Sequence, residues 1–241
     1  MDAMEVLTNL EYLQPYFQPI FSADEHEVIG YEILARYVNG SSVESLGPFF
    51  QDNSIPEEYR IEVDNHILEI ALAKIKSMND DLLIFINRDP NLLMLDHGEN
   101  FLEIVKKYFA EEQLSRIVIE LSETKFDGDT DSLHHLLTYY KTYGIKIAID
   151  HLGADSHLDR ISTLSPQILK VNIDQLRYQG WDSHKDVISS IGVLARKIGA
   201  TLLFENIETV YQLQFAWKYG GRYYQGGYLA EPAPTFIEKD Q

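Results

Sequence analysis

Three observations predict an α/β barrel. Apolar runs rich in β-branched residues alternate along the chain with longer amphipathic stretches, a pattern typical of strands that lead into helices. Eight such runs are present, and eight is the strand number of a closed (β/α)8 barrel. Nearly every run ends on a polar or charged residue, as expected where strand ends converge on one mouth. The length, 241 residues, suits a single barrel domain covering residues 1–241.

The strands are predicted in chain order from these runs. The first two are separated only by the polar segment 23–27, which is too short for a helical crossover, so we expect an antiparallel hairpin there. Each later strand is reached through a helix, which implies parallel pairing, and a modified TIM-type (β/α)8 barrel follows. The predicted strands are 16–22, 28–37, 82–87, 116–121, 146–150, 168–172, 201–205 and 222–225.

The helices are predicted from amphipathic periodicity and from residues that start or stop helices. Gly144, Gly199 and Gly220 each follow a periodic segment, where a C-cap glycine is typical. Asp129 precedes another segment and suits an N-cap. The predicted helices are 57–77, 98–110, 130–143, 158–164, 184–198 and 209–219.

The end of the chain is abrupt. Pro232, Pro234 and the residues TFIEKDQ resemble the start of another helix. We therefore expect this chain to be a piece of a longer protein.

Composition excludes several classes of function. There is no cysteine, so disulfides and thiolate metal sites are excluded. No apolar run approaches the roughly 20 residues that cross a bilayer, and no signal pattern opens the chain, so we expect a soluble, cytoplasmic protein without a membrane span. The net charge of −18 disfavours DNA or RNA as a partner. A small anionic ligand can still bind where a metal ion or an arginine reverses the local sign.

The polar residues near the strand ends form a chemically coherent set. They are Glu32, Arg36, Asn87, Glu120, Asp150, Lys170, Glu205 and Gln225. Any one of these acids, taken alone, more often caps a helix or meets solvent, and a single lysine is more often a surface residue. Together, converging acids need a cationic partner, and all-oxygen ligands favour Mg²⁺ or Mn²⁺ over Zn²⁺.

Eight ordered motifs resemble those of the EAL-domain family, the phosphodiesterases of the bacterial second messenger cyclic di-GMP. The matching segments are YFQPIF, GYEILAR, IFINRDP, IVIELSET, IAIDHLG, ILKVN, FENIET and YYQGGYLAEP. They correspond to the family's YQPIV, E-A-L-x-R, I-N-x-S-P, E-L-T-E, D-D-F-G, L-K-I-D, E-G-V-E-T and Q-G-Y segments. The motif sequences are most similar to those of the YkuI-type branch. Members of that branch carry a further sensor-like domain after the barrel, which fits the abrupt end of this chain.

The resemblance implies a role for each matched residue. It implies metal ligands at Glu32, Asn87, Glu120 and Asp150, with His151 beside them. It implies catalytic or supporting roles for Lys170, which would orient water or steady the phosphate, for Glu205 as general base or outer partner of the metals, and for Glu208. Ligand contacts are implied for Gln18, Leu34, Arg36 and Gln225, and support of a loop for Glu123. The implied reaction is hydrolysis of cyclic di-GMP to linear pGpG by water that one or two Mg²⁺ or Mn²⁺ ions activate, in a homodimer.

The chain departs from the family pattern at the second metal. His151 replaces the second aspartate of D-D-F-G, and the following loop, 154–157, is shorter and lacks its glycine. Two interpretations of His151 stay open: a tolerated substitution beside a weakened site, or a replacement ligand that changes metal preference.

Three hypotheses follow. The first is a cyclic di-GMP-binding domain with weak or conditional hydrolysis, and the second is an inactive cyclic di-GMP receptor. The third, a Schiff-base lyase using Lys170, is disfavoured because such a lysine needs a depressed pKa and the neighbouring carboxylates would raise it.

Overall fold

Eight strands close a mixed barrel in the computed structural model, which describes residues 3–24, 27–77, 81–95, 97–122, 126, 128–152, 158–173 and 181–237. The strands are β1 (Leu13–Ser22), β2 (Val28–Asn39), β3 (Ser42–Ser45), β4 (Leu83–Arg88), β5 (Ile117–Ser122), β6 (Lys146–Leu152), β7 (Ile168–Asn172), β8 (Thr201–Glu205) and β9 (Tyr223–Tyr224). The order is β1-β9-β8-β7-β6-β5-β4-β2, and the β1–β2 pairing closes the ring. β3 adds to β2 outside the ring, and β1 is antiparallel to both neighbours while the other ring pairs are parallel.

The helices surround the barrel. They are α1 (Ala3–Thr8), α2 (Gly47–Gln51), α3 (Glu57–Lys76), α4 (Pro90–Leu95), α5 (Glu99–Tyr108), α6 (Thr130–Thr142), α7 (Leu158–Leu164), α8 (Trp181–Ile198) and α9 (Val210–Lys218), with 3₁₀ turns at Leu10–Tyr12 and Glu111–Arg116. All six predicted helices are present within three residues at each end. Asp129 caps α6, since its side chain accepts a hydrogen bond from the Ser132 backbone. Within the described ranges, no helix is both long and apolar enough to cross a lipid bilayer.

The structure corrects two expectations. The predicted last strand, 222–225, is reduced to the two residues of β9. The helix expected after Pro234 does not begin within the described residues: the segment 231–237 is non-helical, and Ala233 forms an isolated bridge with Phe17.

The barrel has a small inner core and a much larger core between strands and helices. The inner core consists of Ile20, Phe85, Val118, Ala148, Ile168 and Leu203. Alternate residues such as Ile84, Ile119 and Ile147 face outward and pack in the larger core. The inner core therefore closes the barrel below its mouth.

The polar residues of the mouth lie one layer above this inner core. Because side chains two residues apart share a face of a strand, Asn87 follows Phe85 and Glu120 follows Val118. Asp150, Lys170 and Glu205 likewise follow Ala148, Ile168 and Leu203. The alternation places all of these polar groups on one ring.

A bulge sets the register of β2. Phe21 pairs with Val28 and Ile20 pairs with Gly30, which leaves Ile29 as the extra residue. Ile29 packs on the inner core, and the bulge then turns Glu32 to the same interior. Glu32, Leu34 and Arg36 all line the cavity described below.

We expect Gly30→Ala to destabilise the barrel by about 1–3 kcal/mol, because a side chain there overpacks the β2–β4 contact. A Cβ at Gly30 would lie 2.6 Å from the Leu83 carbonyl oxygen and 2.8 Å from its Cβ. Urea unfolding measures the loss. The matched control is Gly192→Ala in α8, where the nearest atom is 3.7 Å away and alanine stabilises a helix by about 0.5–1 kcal/mol. Equal stability of the two variants would contradict the close approach.

Candidate functional site

Four carboxylates surround one buried lysine at the mouth of the barrel. Lys170 is 0% exposed, and its amine lies 2.7 Å from Glu120 Oε1 and 3.1 Å from Glu32 Oε2. It lies 3.3 Å from both Asp150 Oδ1 and Glu205 Oε2. All four acids are themselves buried. Lys170 of β7 thus forms the base of an acidic cluster whose four carboxylates come from four other strands.

The acidic charge of this cluster exceeds the charge of the lysine. With all four acids ionised, one ammonium group faces four negative charges, and Glu120 Oε2 has no donor among the described residues. Burial and the neighbouring Glu32 raise the pKa of Glu120 well above its ordinary range. Burial and Asp150 raise the pKa of Glu205 to about 7. The oxygen donors and the excess negative charge fit a hard divalent cation such as Mg²⁺ or Mn²⁺.

Glu32 is oriented by two amide donors. Asn87 Nδ2 donates to Glu32 Oε1 at 2.7 Å, and Gln225 Nε2 donates to Glu32 Oε2 at 2.7 Å. Burial acts to raise the pKa of Glu32, but Lys170 and these two amides bring it below its ordinary value. Asn87 bonds to Glu32 through its amide nitrogen. The amide oxygen of Asn87, which is the atom that binds hard cations, takes no part in this bond.

A second bulge brings Asp150 and His151 to the same side of β6. Ile149 pairs with Leu169 and Leu152 pairs with Val171, so one residue of β6 is extra, and His151 has φ of 57°. The usual alternation of faces is broken, and both side chains reach the mouth.

His151 belongs to the acidic cluster by contact. Its Nδ1 lies 2.6 Å from Asp150 Oδ2, and its Nε2 lies 4.0 Å from Glu205 Oε1. The hydrogen bond to Asp150 raises the pKa of His151 to about 9. Against the effect of burial, Lys170 and His151 hold the pKa of Asp150 well below its ordinary range. One ligand atom from each of Asp150, His151 and Glu205 lies within 4.8 Å of the other two, so these three residues meet the spacing for a metal ion.

An open cavity of about 690 Å³ lies above the cluster. The predicted ligand-contacting residues line it, namely Gln18, Leu34, Arg36 and Gln225. Arg36 is partly buried, and its guanidinium donates to the Ala35 carbonyl at 3.0 Å. Glu208 also lines the cavity but is exposed and separate from the four buried acids, and its Oε1 accepts from the Gly227 backbone at 3.3 Å.

The wall of this cavity contains an ion pair that was not predicted from the sequence. Arg88, which follows Asn87 on β4, pairs with Asp64 of α3, and both line the cavity. Burial raises the pKa of Asp64 despite this pairing. A signal was present, since Asp64 lies between Arg60 and Leu68 at helical spacing, on the face of α3 that is buried.

Comparison with known proteins identifies the family. A family model described as "EAL domain" matches residues 3–232. The chain belongs to the EAL domain family. It is 53% identical over 243 residues to an uncharacterised EAL-domain-containing protein, YkuI, of Bacillus subtilis. The match covers 100% of this EAL domain and 60% of YkuI, so the chain spans about three fifths of that relative.

Solved structures agree with the barrel. The crystal structure of Bacillus subtilis YkuI in complex with substrate c-di-GMP and calcium superposes with a TM-score of 0.93, over 100% of this EAL domain and 60% of that chain. A c-di-GMP complex of PaMucR phosphodiesterase has a TM-score of 0.84 at 21% identity, covering 97% of this chain and 98% of the other, and supports the fold alone. Among curated relatives, the probable cyclic di-GMP phosphodiesterase PdeD of Escherichia coli is 23% identical, over 91% of this chain and 41% of PdeD.

Most of the predicted site residues meet in this EAL domain. Those at the mouth or in its wall are Gln18, Glu32, Leu34, Arg36, Asn87, Glu120, Asp150, His151, Glu205, Glu208 and Gln225. Lys170 is 0% exposed and its amine contacts all four carboxylates, so the roles predicted for it, to orient water or to steady the phosphate, stay predictions. Glu123 and the loop 153–157 lie outside the described residues, so the roles predicted for them stay predictions.

Proposed function

We propose that this EAL domain binds cyclic di-GMP at the mouth of the barrel and hydrolyses one phosphodiester bond to give linear pGpG, weakly or conditionally on the metal. The observation that carries the proposal is the convergence of four buried carboxylates and Asn87 on the floor of a 690 Å³ cavity that also contains Arg36. The similarity to YkuI, whose structure contains c-di-GMP and calcium, supports the choice of ligand.

Each residue has a place in this proposal. Glu32, Asn87, Glu120 and Asp150 would hold a divalent ion, and Asp150, His151 and Glu205 form a second group that could hold another. When bound, such an ion supplies an activated water and neutralises charge on the phosphate. Arg36 would contact the phosphate, and Glu205 would accept the proton of the attacking water as general base. Lys170 would hold the four acids together rather than touch the substrate.

His151 would decide which metal ion supports hydrolysis, because imidazole binds Mn²⁺ better than Mg²⁺. We expect His151→Asp, which supplies an oxygen ligand, to raise the Mg²⁺-supported rate of pGpG formation by about 10-fold. Chromatography of pGpG in Mg²⁺ and in Mn²⁺ measures the change. The control His135→Asp makes the same substitution at an exposed position on α6 and is expected to change neither rate. A His151→Asp variant with unchanged rates in both ions would contradict this assignment.

A non-catalytic receptor for cyclic di-GMP is the second candidate, and the observation that favours it is His151 in contact with Asp150 and near Glu205. Binding by calorimetry at micromolar ligand without pGpG in either ion would support the receptor. Turnover that Glu32→Ala abolishes would support the enzyme. The Schiff-base alternative is disfavoured further: although burial acts to lower the pKa of Lys170, the four carboxylates raise it well above its ordinary value.

A homodimer, a cytoplasmic location and a further C-terminal domain in the complete protein stay predictions. Sedimentation of the purified chain tests the first of these.

A further inference from the structure

The barrel has a weak seam between its first and last strands. β9 is two residues long, and it pairs with β1 only at Phe21 and Ser22. Among the residues that the structure describes, the remainder of β1 toward the mouth has no partner strand on that side. The β8–β9 ladder is equally short, whereas the ladders between the other ring strands are longer. Unpaired backbone at a barrel edge needs another partner.

The segment 229–237, here called the strap, supplies that partner. Phe17 N donates to the Ala233 carbonyl at 2.7 Å, and Ala233 N donates to the Phe17 carbonyl at 3.1 Å. Glu231 and Pro232 of the strap line the cavity. The strap therefore closes the seam and forms part of the wall above the acidic cluster.

An aromatic contact anchors the far end of the strap. The ring of Phe236 lies 4.4 Å from that of Phe17 and 5.1 Å from that of Tyr31, measured between centroids. The Tyr31 hydroxyl also accepts a hydrogen bond from Ile237 N at 3.1 Å. Phe17 and Tyr31 are 1% and 5% exposed, so Phe236 docks on residues that belong to the core.

A directed chain of hydrogen bonds connects the strap to Glu32. Gln18 Nε2 donates to the Ala230 carbonyl at 3.3 Å, which turns Gln18 Oε1 toward Gln225. Gln225 Nε2 donates to that oxygen at 3.3 Å and to Glu32 Oε2 at 2.7 Å. An amide has one donor end and one acceptor end, so the carbonyl of Ala230 selects the orientation of both glutamines.

We infer that Phe236 is a positioning residue for the metal site: by seating the strap it fixes the Gln18–Gln225 pair and, through it, the carboxylate of Glu32. The inference rests on the proposed function in one respect, that Glu32 binds a divalent ion. Groups that orient a ligand through hydrogen bonds change metal affinity about 10–100-fold when they are lost. Phe236 is not among the residues that line the cavity, so it would act on Glu32 through this chain of contacts.

The test is calorimetric titration of the purified chain with Mn²⁺ alone. We expect Phe236→Ala to weaken Mn²⁺ affinity by about 10-fold and Phe236→Tyr, which keeps the ring, to restore it. The control is Tyr211→Ala, which removes an aromatic ring that is 79% exposed on α9 and outside the cavity, and it is expected to leave the affinity unchanged. Circular dichroism at the titration temperature establishes that each variant is folded.

A double-mutant cycle separates this mechanism from a general loss of stability. Gln18→Met removes the amide and leaves the strap anchor in place, so it is expected to weaken Mn²⁺ binding by a similar factor. Because both residues act through one chain, Phe236→Ala in the Gln18→Met background is expected to add little. Gln18→Met also provides the test if Phe236→Ala does not fold.

The outcomes distinguish the two levels of the proposal. Wild-type binding of Mn²⁺ with unchanged affinity in Phe236→Ala overturns the role of the strap and leaves the metal site standing. Fully additive losses in the double mutant overturn the hydrogen-bonded connection. A wild-type chain that does not bind Mn²⁺ overturns the metal site and, with it, this inference.

Discussion

Glu120→Gln is expected to weaken Mn²⁺ binding by at least about 100-fold, a larger effect than the loss of a residue that only hydrogen-bonds to a metal ligand. The same substitution is expected to stabilise the metal-free protein. Glu120 is 1% exposed and lies with Glu32, Asp150 and Glu205 around Lys170, and one of its oxygens has no donor in the part of the chain that the structure describes. Burial and Glu32 raise the pKa of Glu120 well above its ordinary range, so folding the metal-free protein carries the cost of protonating this acid. Glutamine keeps the shape and removes that cost, so the folded metal-free state is stabilised. A cation would bind the ionised carboxylate, which glutamine lacks, so Mn²⁺ affinity falls.

Two measurements test these opposite effects on Mn²⁺ affinity and on stability. Calorimetry with Mn²⁺ gives the affinity, and urea unfolding in the presence of a chelator gives the free energy of unfolding. Glu103→Gln, an exposed position on α5, is the charge-matched control and is expected to change neither. A Glu120→Gln variant that binds Mn²⁺ as well as the wild type would refute the assignment of these carboxylates to a cation.

Lys170→Met is expected to cost about 3–5 kcal/mol of unfolding free energy in the metal-free protein. Lys170 is 0% exposed and is the one cation in contact with all four carboxylates among the residues that the structure describes. Methionine fills a similar volume but leaves the acids buried without a counter-charge, and a broken buried ion pair is strongly destabilising. Mn²⁺ is expected to recover part of the loss, because an ion that binds only the folded state stabilises it.

Urea unfolding with and without Mn²⁺ measures both effects. The control is Lys107→Met on α5, where the lysine is 60% exposed and pairs with Glu69 at 2.8 Å. Exposed ion pairs contribute little, so its unfolding midpoint is expected to move little. A Lys170→Met protein as stable as the wild type without metal would contradict the electrostatic account of the cluster.

Much of the barrel was predictable because its signals are local. The segment 23–27 is too short for a crossover, and the antiparallel β1–β2 hairpin follows from that alone. The predicted helices agree with the structure because their apolar periodicity extends over several turns. β3 and α2 were not predicted, since four or five residues contain too little periodicity to separate from a loop. The shortening of β9 was not foreseen either, because its limits depend on a partner strand two hundred residues away.

The membership of the site was predictable for a similar reason. Polar residues two positions beyond the inner-core residues, such as Asn87 after Phe85 and Lys170 after Ile168, share an inward face by strand geometry. The roles of these residues were harder to predict from the sequence. Lys170 has no exposed surface and contacts all four acids, an arrangement that its place at a strand end did not predict. The Asp64–Arg88 pair joins α3 to β4, and neither residue is at a matched motif position.

The order of apolar and polar residues along the chain was sufficient to predict the eight ring strands, apart from the limits of the last one, and the hairpin. It also predicted the inward face on which Glu120, Asp150 and Glu205 lie, because alternation is a property of each strand alone. The distances from these acids to Lys170, the contact of His151 with Asp150 across a bulge, and the connection from Phe236 to Glu32 arise only in the folded chain. Such contacts join residues that are far apart in sequence, or they depend on a change of strand register. Local periodicity contains no information about long-range contacts or about register changes.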